Sequence, residues 1–308
     1  MSEVVLVTGG AGFIGSHLVR RLVNMGFHVK VLDNLSSGSE ESVAEDAELT
    51  VGDVREVDLV GQLTGQCKWV FHLAAFSNLP GSFSQRAECL QINVEGTRNI
   101  LEASLLHNVE KVVFSSTSAL YPGEPNIAKV EAGPLVTDSP YAESKLQGEK
   151  LLERFVKQGG KGSALRYFNV FGPGQAVDSD YAAVIPIFID RALKGQVLTI
   201  CGDGHQTRDF VYVEDVVSAN LQAALVDCMG VFNVGTGLPI SIRELSDNIG
   251  KAMNREVSVE YVAPRPGDVA SSTADIELAT RVLGWNAGWS LKEGLVKTIA
   301  WWKSLGDR

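Results

Sequence analysis

Val7-Thr8-Gly9-Gly10-Ala11-Gly12-Phe13-Ile14-Gly15-Ser16-His17 follows the β-branched run Val4–Val7 and opens a stretch of helical spacing that reaches about Met25. Glycines at 9, 12 and 15, between a strand and a helix, have a physical reading. Gly9 permits the tight turn, Gly12 lets backbone approach a pyrophosphate, and Gly15 permits close packing of helix on strand. The helix N-terminus, with Phe13 and Ile14 in its first turn, then offers unpaired N–H donors and a partial positive charge to phosphates. Asp33 stands eighteen residues past Gly15, at the end of a second apolar run, Val29–Leu32. A carboxylate there accepts both ribose hydroxyls of NAD and repels the 2′-phosphate of NADP. Asn34, Ser36, Ser37 and Gly38 continue that turn, and Asp53-Val54, after a weak third run at Leu49–Val51, is expected at the adenine edge.

Working outward, strand-like runs at Trp69–Leu73, Lys111–Ser115 and Ser163–Tyr167 alternate with helical spacing at Val94–Leu106 and Tyr141–Lys157. Such alternation predicts repeated βα units, hence an α/β fold: a Rossmann-type, doubly wound parallel sheet. At Phe171-Gly172-Pro173-Gly174 the pattern breaks into shorter apolar runs between charged and glycine-rich turns. Residues 1–172 are therefore read as the NAD-binding domain, with 206–235 returning to it, and 173–308 as mainly a smaller, partly discontinuous substrate lobe.

The chain has 308 residues, 45% hydrophobic and 21% charged, enough apolar mass for a large core. Its formal net charge of −10 repels nucleic acid, so such a partner is not expected. A diphosphate remains compatible, because backbone N–H groups and a few arginines act locally. No charged leader with an apolar stretch, and no apolar run long enough for a membrane span, is visible. The four cysteines (Cys67, Cys89, Cys201, Cys228) show no zinc spacing. The expectation is a cytoplasmic protein with reduced thiols, no membrane partner and no metal.

Tyr141-Ala-Glu-Ser-Lys145 puts a phenol and an ammonium four residues apart, on one side of a predicted helix. A free tyrosine has a pKa of about 10, too high for a base at neutral pH. A lysine cation beside a positive nicotinamide ring is expected to favour the phenolate.

These features together resemble the extended short-chain dehydrogenase/reductases, and within them the NAD-dependent epimerase/dehydratase family in its nucleotide-sugar 4-epimerase branch. The resemblance covers nearly the whole chain: TGGAGFIGSH (8–17), DNLSSG (33–38), GDV (52–54), FHLAA (71–75), NVEGT (93–97), FSSTSALY (114–121), YAESK (141–145), RYFNVFGPGQ (166–175), GDGHQTRDFVYVEDV (202–216) and RPGDV (265–269). It implies that Thr117 is a third catalytic residue beside Tyr141 and Lys145, with Ser116 in reserve. It also implies cofactor contacts from Leu73, Ala74, Ala75, Asn93, Ser115, Ser116 and Tyr167. Substrate contacts are implied for Thr117, Tyr141, Asn169, Val184, Thr199, Arg208, Arg265, Asp268 and Ser272, with the arginines on the diphosphate. His17 and His72 are read as core residues, His205 as a solvated loop residue.

The residues after Thr117 separate reaction types. Dehydrating relatives carry Asp-Glu there, and uronate-decarboxylating relatives a glutamate at the second position; here Ser118-Ala119 supply neither acid nor base. The implied activity is 4-epimerisation, UDP-glucose to UDP-galactose, through a 4-keto sugar. Cys201 stands where an aromatic residue often stacks on uracil, and Ser272 where some epimerases carry a bulky tyrosine, leaving room for an N-acetyl group. Another NAD-dependent nucleotide-sugar enzyme (uronate epimerase or decarboxylase, dTDP-sugar epimerase, net dehydrogenase or reductase) and a non-catalytic NAD binder stay open. The helices near 94–107 and 141–157 resemble the family's dimer interface, so a homodimer is expected.

Overall fold

The computed structural model describes residues 2–124, 127–176, 183–264 and 269–306. β1 (Val4–Thr8) runs into α1 (Phe13–Asn24), followed by β2 (His28–Asp33), β3 (Glu48–Val51), α2 (Val57–Thr64) and β4 (Trp69–His72). Two short helices, α3 (Gly81–Ser84) and α4 (Arg86–Leu90), lead through a π-helical turn at Gln91–Glu95 into α5 (Gly96–Leu106). The sequence pattern suggested uninterrupted helix from Val94; the wider turn instead encloses Asn93, whose side chain is drawn into bonds described below. β5 (Lys111–Thr117), α6 (Pro140–Lys157) and β6 (Gly162–Tyr167) continue the alternation.

β11 (Gly230–Val234) and β1–β6 form one seven-stranded sheet in the order β11-β6-β5-β4-β1-β2-β3, with every pairing parallel. The strand order reverses between β1 and β4, so a crevice opens there beyond the carboxyl ends of the strands, where ligands bind in such sheets. Val5, Val7, Val29 and Val31 pack with Leu18, Val19 and Leu22 of α1 in one core. Leu6, Leu32, Val70 and Val112 pack with Val60, Ile100, Leu152 and Phe155 in another. Apolar residues of opposite parity along each strand thus enter different cores, which is why the strands read as continuous apolar runs rather than alternating ones.

The remaining elements are β7 (Asn169–Phe171), α7 (Val184–Leu193), β8 (Leu198–Cys201), β9 (Thr207–Arg208) and β10 (Phe210–Tyr212). After them come α8 (Val213–Leu225), β11 (Gly230–Val234), β12 (Ile240–Ser241), α9 (Ile242–Met253), β13 (Val259–Val262), β14 (Ser271–Ser272) and α10 (Leu291–Gly306). α8 contributes Val216 and Val217 to the first core, and β11 extends the main sheet beside β6. A third core joins Ile185 and Ile189 of α7, Ile200, Leu245 and Ile249 of α9, and Leu295 and Ile299 of α10 to Phe171, Phe210 and Tyr212. Small ribbons complete this part: β12-β9-β14 and β13-β8. Among the described residues no helix is long and apolar enough to cross a membrane.

Candidate active site

The carboxyl ends of β1, β2, β4, β5 and β6 carry most of the residues singled out in the sequence. Gly9 follows β1 at φ +72°, a left-handed conformation that glycine adopts without strain. A Cβ on it would lie 2.6 Å from the Ala74 backbone N. Gly15 is more constrained: a Cβ there would lie 2.0 Å from the Gly9 carbonyl oxygen, so α1 can approach the turn this closely only without a side chain. Gly12 is the N-cap of α1, with no side-chain cap and no acidic residue in the first turn. That helix end, including Phe13 and Ile14, therefore presents donors and no competing anion, which suits a diphosphate.

Asp33 is buried at the end of β2, its Oδ2 accepting from Ala11 N and its Oδ1 from Leu35 N, both at 2.9 Å. Each oxygen keeps further lone-pair capacity for a ribose. Asn34, Ser36 and Ser37 are exposed along the rim, and Gly38 lies against Ala11. The Asp53 carboxylate is gripped by Arg55 Nε (2.9 Å) and NH2 (2.7 Å) and receives Asn34 Nδ2. The Arg55 hydrogen bond holds its pKa below the usual carboxylate value. Val54 is buried next to it. The donor set and the glycine cradle fit NAD.

β4 ends at His72, which is fully buried and neutral, its pKa pulled down to about 3 by burial and then by the Lys145 charge. Its Nδ1 accepts from Thr8 Oγ1 at 2.7 Å and its Nε2 donates to Thr97 Oγ1 at 3.0 Å, since Thr97 spends its own proton on the Asn93 carbonyl. The Thr8 hydroxyl in turn accepts from Ala74 N, fixing Leu73-Ala74-Ala75 at the crevice. His72 is thus a satisfied core histidine. His17 bridges α1 to Glu214 (3.1 Å) and the Pro173 carbonyl (2.9 Å), and His205 is exposed.

α6 begins with Ser139, whose side chain accepts from Ala142 N, and Pro140 at its first turn. This places Tyr141 and Lys145 one turn apart over β5. Lys145 is buried, donates to the Ser115 carbonyl at 2.9 Å and lies 5.1 Å over the Phe114 ring. Burial pulls its pKa down to about 8. The Tyr141 phenol faces the Thr117 side chain; burial pushes its pKa up, with the neighbouring Thr117 hydroxyl opposing. Desolvation is the larger of these two effects on the phenol. Ser116 points elsewhere, its Oγ donating to Glu149 at 2.5 Å, whereas the Ser115 side chain meets Tyr167. Tyr167 exchanges hydrogen bonds with Asn220. Asn93 ties the loop after β4 to α6, accepting from Phe76 N (2.7 Å) and donating to Ser144 Oγ (2.8 Å).

On the other side, Ser272 is paired in register with Arg208 across β14 and β9, and Arg208 donates to the Val269 carbonyl. Asn169 opens β7 and Val184 opens α7. Thr199 on β8 bonds to Arg191 and Glu260, not to the Tyr141 group. Arg265 and Asp268 lie outside the described residues. Sequence reasoning missed Asp209. Buried beside Arg208, its carboxylate accepts from Thr236 N, Thr236 Oγ1, Gly237 N and Ala274 N, tying three segments together. It also missed Ser82, which accepts from Tyr141 N at 3.2 Å, and the Glu149–Arg166 pair. The Thr-Arg-Asp-Phe order around Asp209 lies within the stretch 202–216 that resembles the family, and nothing local in it marks a buried acceptor.

A phenol, a hydroxyl and an ammonium gathered beside a dinucleotide cradle form an acid–base set for an alcohol–carbonyl interconversion. The NAD dependent epimerase/dehydratase family model matches residues 5–235. The UDP-glucose 4-epimerase of Mycolicibacterium smegmatis is 38% identical over 308 residues, 97% of this chain and 98% of its own. A UDP-N-acetylglucosamine 4-epimerase from Methanobrevibacter ruminantium M1, solved with UDP-N-acetylmuramic acid, has a TM-score of 0.95 at 38% identity, covering 99% of this chain and 100% of that one. The UDP-glucose 4-epimerase of Thermotoga maritima, solved with UDP-glucose, has a TM-score of 0.94 at 36% identity, covering 98% and 99%. More distant matches include a uronate decarboxylase and a 5,6-dehydratase. Fold, cradle and matches over the full length agree: this chain is an NAD-using enzyme of the NAD dependent epimerase/dehydratase family, an extended short-chain dehydrogenase/reductase resembling UDP-glucose 4-epimerase.

Proposed function

We propose that the protein is a nucleotide-sugar 4-epimerase that interconverts UDP-glucose and UDP-galactose and also accepts the N-acetylhexosamine pair. The observation behind this reading is the meeting of Tyr141, Lys145 and Thr117 beyond β5, with Ser118-Ala119 in place of a second acid–base pair. Tyr141 as phenolate takes the proton of the sugar O4 and later returns it. Lys145 holds positive charge beside the phenolate and binds the nicotinamide ribose. Thr117 shares its hydrogen bond between Tyr141 and O4, setting the direction of proton transfer. Gly9–Gly15 and the α1 N-terminus hold the cofactor diphosphate, Asp33 the adenosine ribose, and Asp53-Val54 the adenine edge. When bound, NAD supplies hydride removal and return at C4, with no net redox change.

Arg208, with Arg265 and Asn169, grips the sugar diphosphate while the sugar itself is held loosely enough to present either face. Ser272, in register with Arg208, leaves the space beside C2 that an acetamido group fills. Residues 1–172 with 206–235 form the cofactor domain, and the rest mainly the sugar lobe. The enzyme works in the cytoplasm as a homodimer through α5 and α6, where Leu106 is 75% exposed at the end of α5. The test is incubation with UDP-galactose without added NAD. Continued formation of UDP-glucose with no rise in absorbance at 340 nm is expected; stoichiometric NADH, or no interconversion across a panel of UDP-, dTDP- and GDP-hexoses, overturns the reading.

A further inference from the structure

Tyr141, Lys145 and Glu149 follow one another at four-residue intervals on α6, and each meets one of three consecutive residues of β5. Tyr141 faces the Thr117 side chain, Lys145 donates to the Ser115 carbonyl at 2.9 Å, and Glu149 accepts from the Ser116 hydroxyl at 2.5 Å. The last rung differs from the others in carrying a buried ion pair. Arg166 of β6 donates Nε to Glu149 Oε1 at 2.8 Å and NH2 to Oε2 at 2.7 Å, with the two side chains only 3% and 7% exposed. Its NH1 donates to Tyr121 Oη (2.8 Å) and to the Glu131 carbonyl (3.1 Å). Tyr121 Oη donates onward to Asn233 on β11, whose backbone N–H donates to the Glu131 carboxylate.

Resting on the reading above, we propose that the Glu149–Arg166 pair is a positioning device for the reaction. It locks the register of α6 on β5 and β6 so that Tyr141 meets Thr117, and its carboxylate balances the Lys145 ammonium. A buried ion pair is a poor source of net stability, because desolvation offsets most of its attraction; registry is its best-attested use. Here every side-chain nitrogen and oxygen of the pair has at least one partner, so it tolerates few alternative registers. Glu149 is also one of the charges that favour the cationic form of Lys145 against desolvation. The other titratable and charged groups around this rung are Tyr141 and Lys145 on α6, Cys89 on α4, His72 on β4, Arg166 on β6, and Tyr121 and Glu131 on the intervening loop. Among them Glu149 is the carboxylate one helical turn from Lys145.

The experiment compares wild type, E149Q, R166K and the charge-balanced E149Q/R166Q. The readouts are the pH profile of kcat on UDP-galactose and the tyrosinate absorbance near 295 nm, each protein differenced against its Y141F version. E149Q adds one net positive charge to the site, which favours phenolate and disfavours ammonium, so both limbs of the profile and the Tyr141 titration move to lower pH by about one unit. Loss of register lowers kcat about 10- to 100-fold in E149Q and in the double variant, with KM changed less than about 3-fold. In the double variant the limbs return to the wild-type position while kcat stays low. R166K retains the charge and loses the two-pronged grip, so it lowers kcat without moving the limbs. A folded E149Q with unmoved limbs and titration, or a double variant with wild-type kcat, overturns the proposal. If E149Q does not fold, R166K and the double variant decide it by kcat. If wild type interconverts no UDP-hexose, the functional reading fails, and the 295 nm titrations still decide whether Glu149 sets the charge at Tyr141.

Discussion

The cofactor end of the cleft and its sugar end are built from different materials. Gly9, Asp33, His72, Thr117 and Tyr167 sit at the ends of strands of four to seven residues inside one seven-stranded sheet, closed by backbone contacts that a single methyl would violate. Arg208 and Ser272 sit on strands of two residues, held in place by Asp209, whose four accepted bonds reach segments far apart in sequence. A site made of backbone and short spacing is dictated by local sequence and is shared across chemistries. A site made of side chains on small ribbons is free to change its ligand without disturbing the sheet. The first sets the cofactor, the second the sugar.

Among substitutions that separate the two ends, Gly15→Ala should reach furthest, because it acts on every substrate. Its Cβ would meet the Gly9 carbonyl at 2.0 Å, overpacking that costs about 3 kcal/mol or more, or about 100-fold in NAD affinity. NAD content after purification and turnover of every sugar should fall together; retained NAD would break the distinction drawn here. Ser272→Tyr sharpens it from the other side. Turnover of UDP-N-acetylglucosamine should fall roughly 100-fold while UDP-glucose changes by less than roughly 3-fold, and bound NAD should stay constant. Equal loss of both activities would place Ser272 outside the sugar pocket.

The change that leaves catalysis at neutral pH least affected lies in pH dependence at the cofactor end. His72 has a folded pKa of about 3 against about 6.5 unfolded, so the unfolded chain takes up the proton first as pH falls. Its contribution to stability is therefore intact above pH 6.5 and is lost between 6.5 and 3, by up to about 1.4 kcal/mol per pH unit. Denaturant unfolding of wild type and His72→Gln across that range should differ in slope by this amount; parallel slopes would mean that His72 is charged in the folded enzyme.

What the sequence made legible follows the same division. The Gly9–Gly15 spacing, Asp33 after the second strand and Tyr141–Lys145 on one helical turn each follow from local geometry, and the sheet and its crevice follow from the βα alternation. Interactions joining distant segments were not legible. Glu149 and Arg166 lie seventeen residues apart on a helix and a strand, and nothing local distinguishes them from surface charges. Ser116 beside Thr117 could be told apart only once its hydroxyl was seen on Glu149. The π-helical turn at Gln91–Glu95 arises from Asn93 bonding both Phe76 and Ser144, a tertiary demand that helical periodicity does not record. The upward shift of Tyr141 likewise depends on burial, which spacing cannot express.

The most direct measurement is interconversion of UDP-galactose by Tyr141→Phe, with bound nucleotide quantified on the same preparation. Loss of the proton-transfer group should reduce kcat about 1,000-fold or more while NAD content remains that of wild type. Undiminished epimerisation by a Tyr141→Phe enzyme carrying its full complement of NAD would contradict the assignment of that phenol to the chemistry.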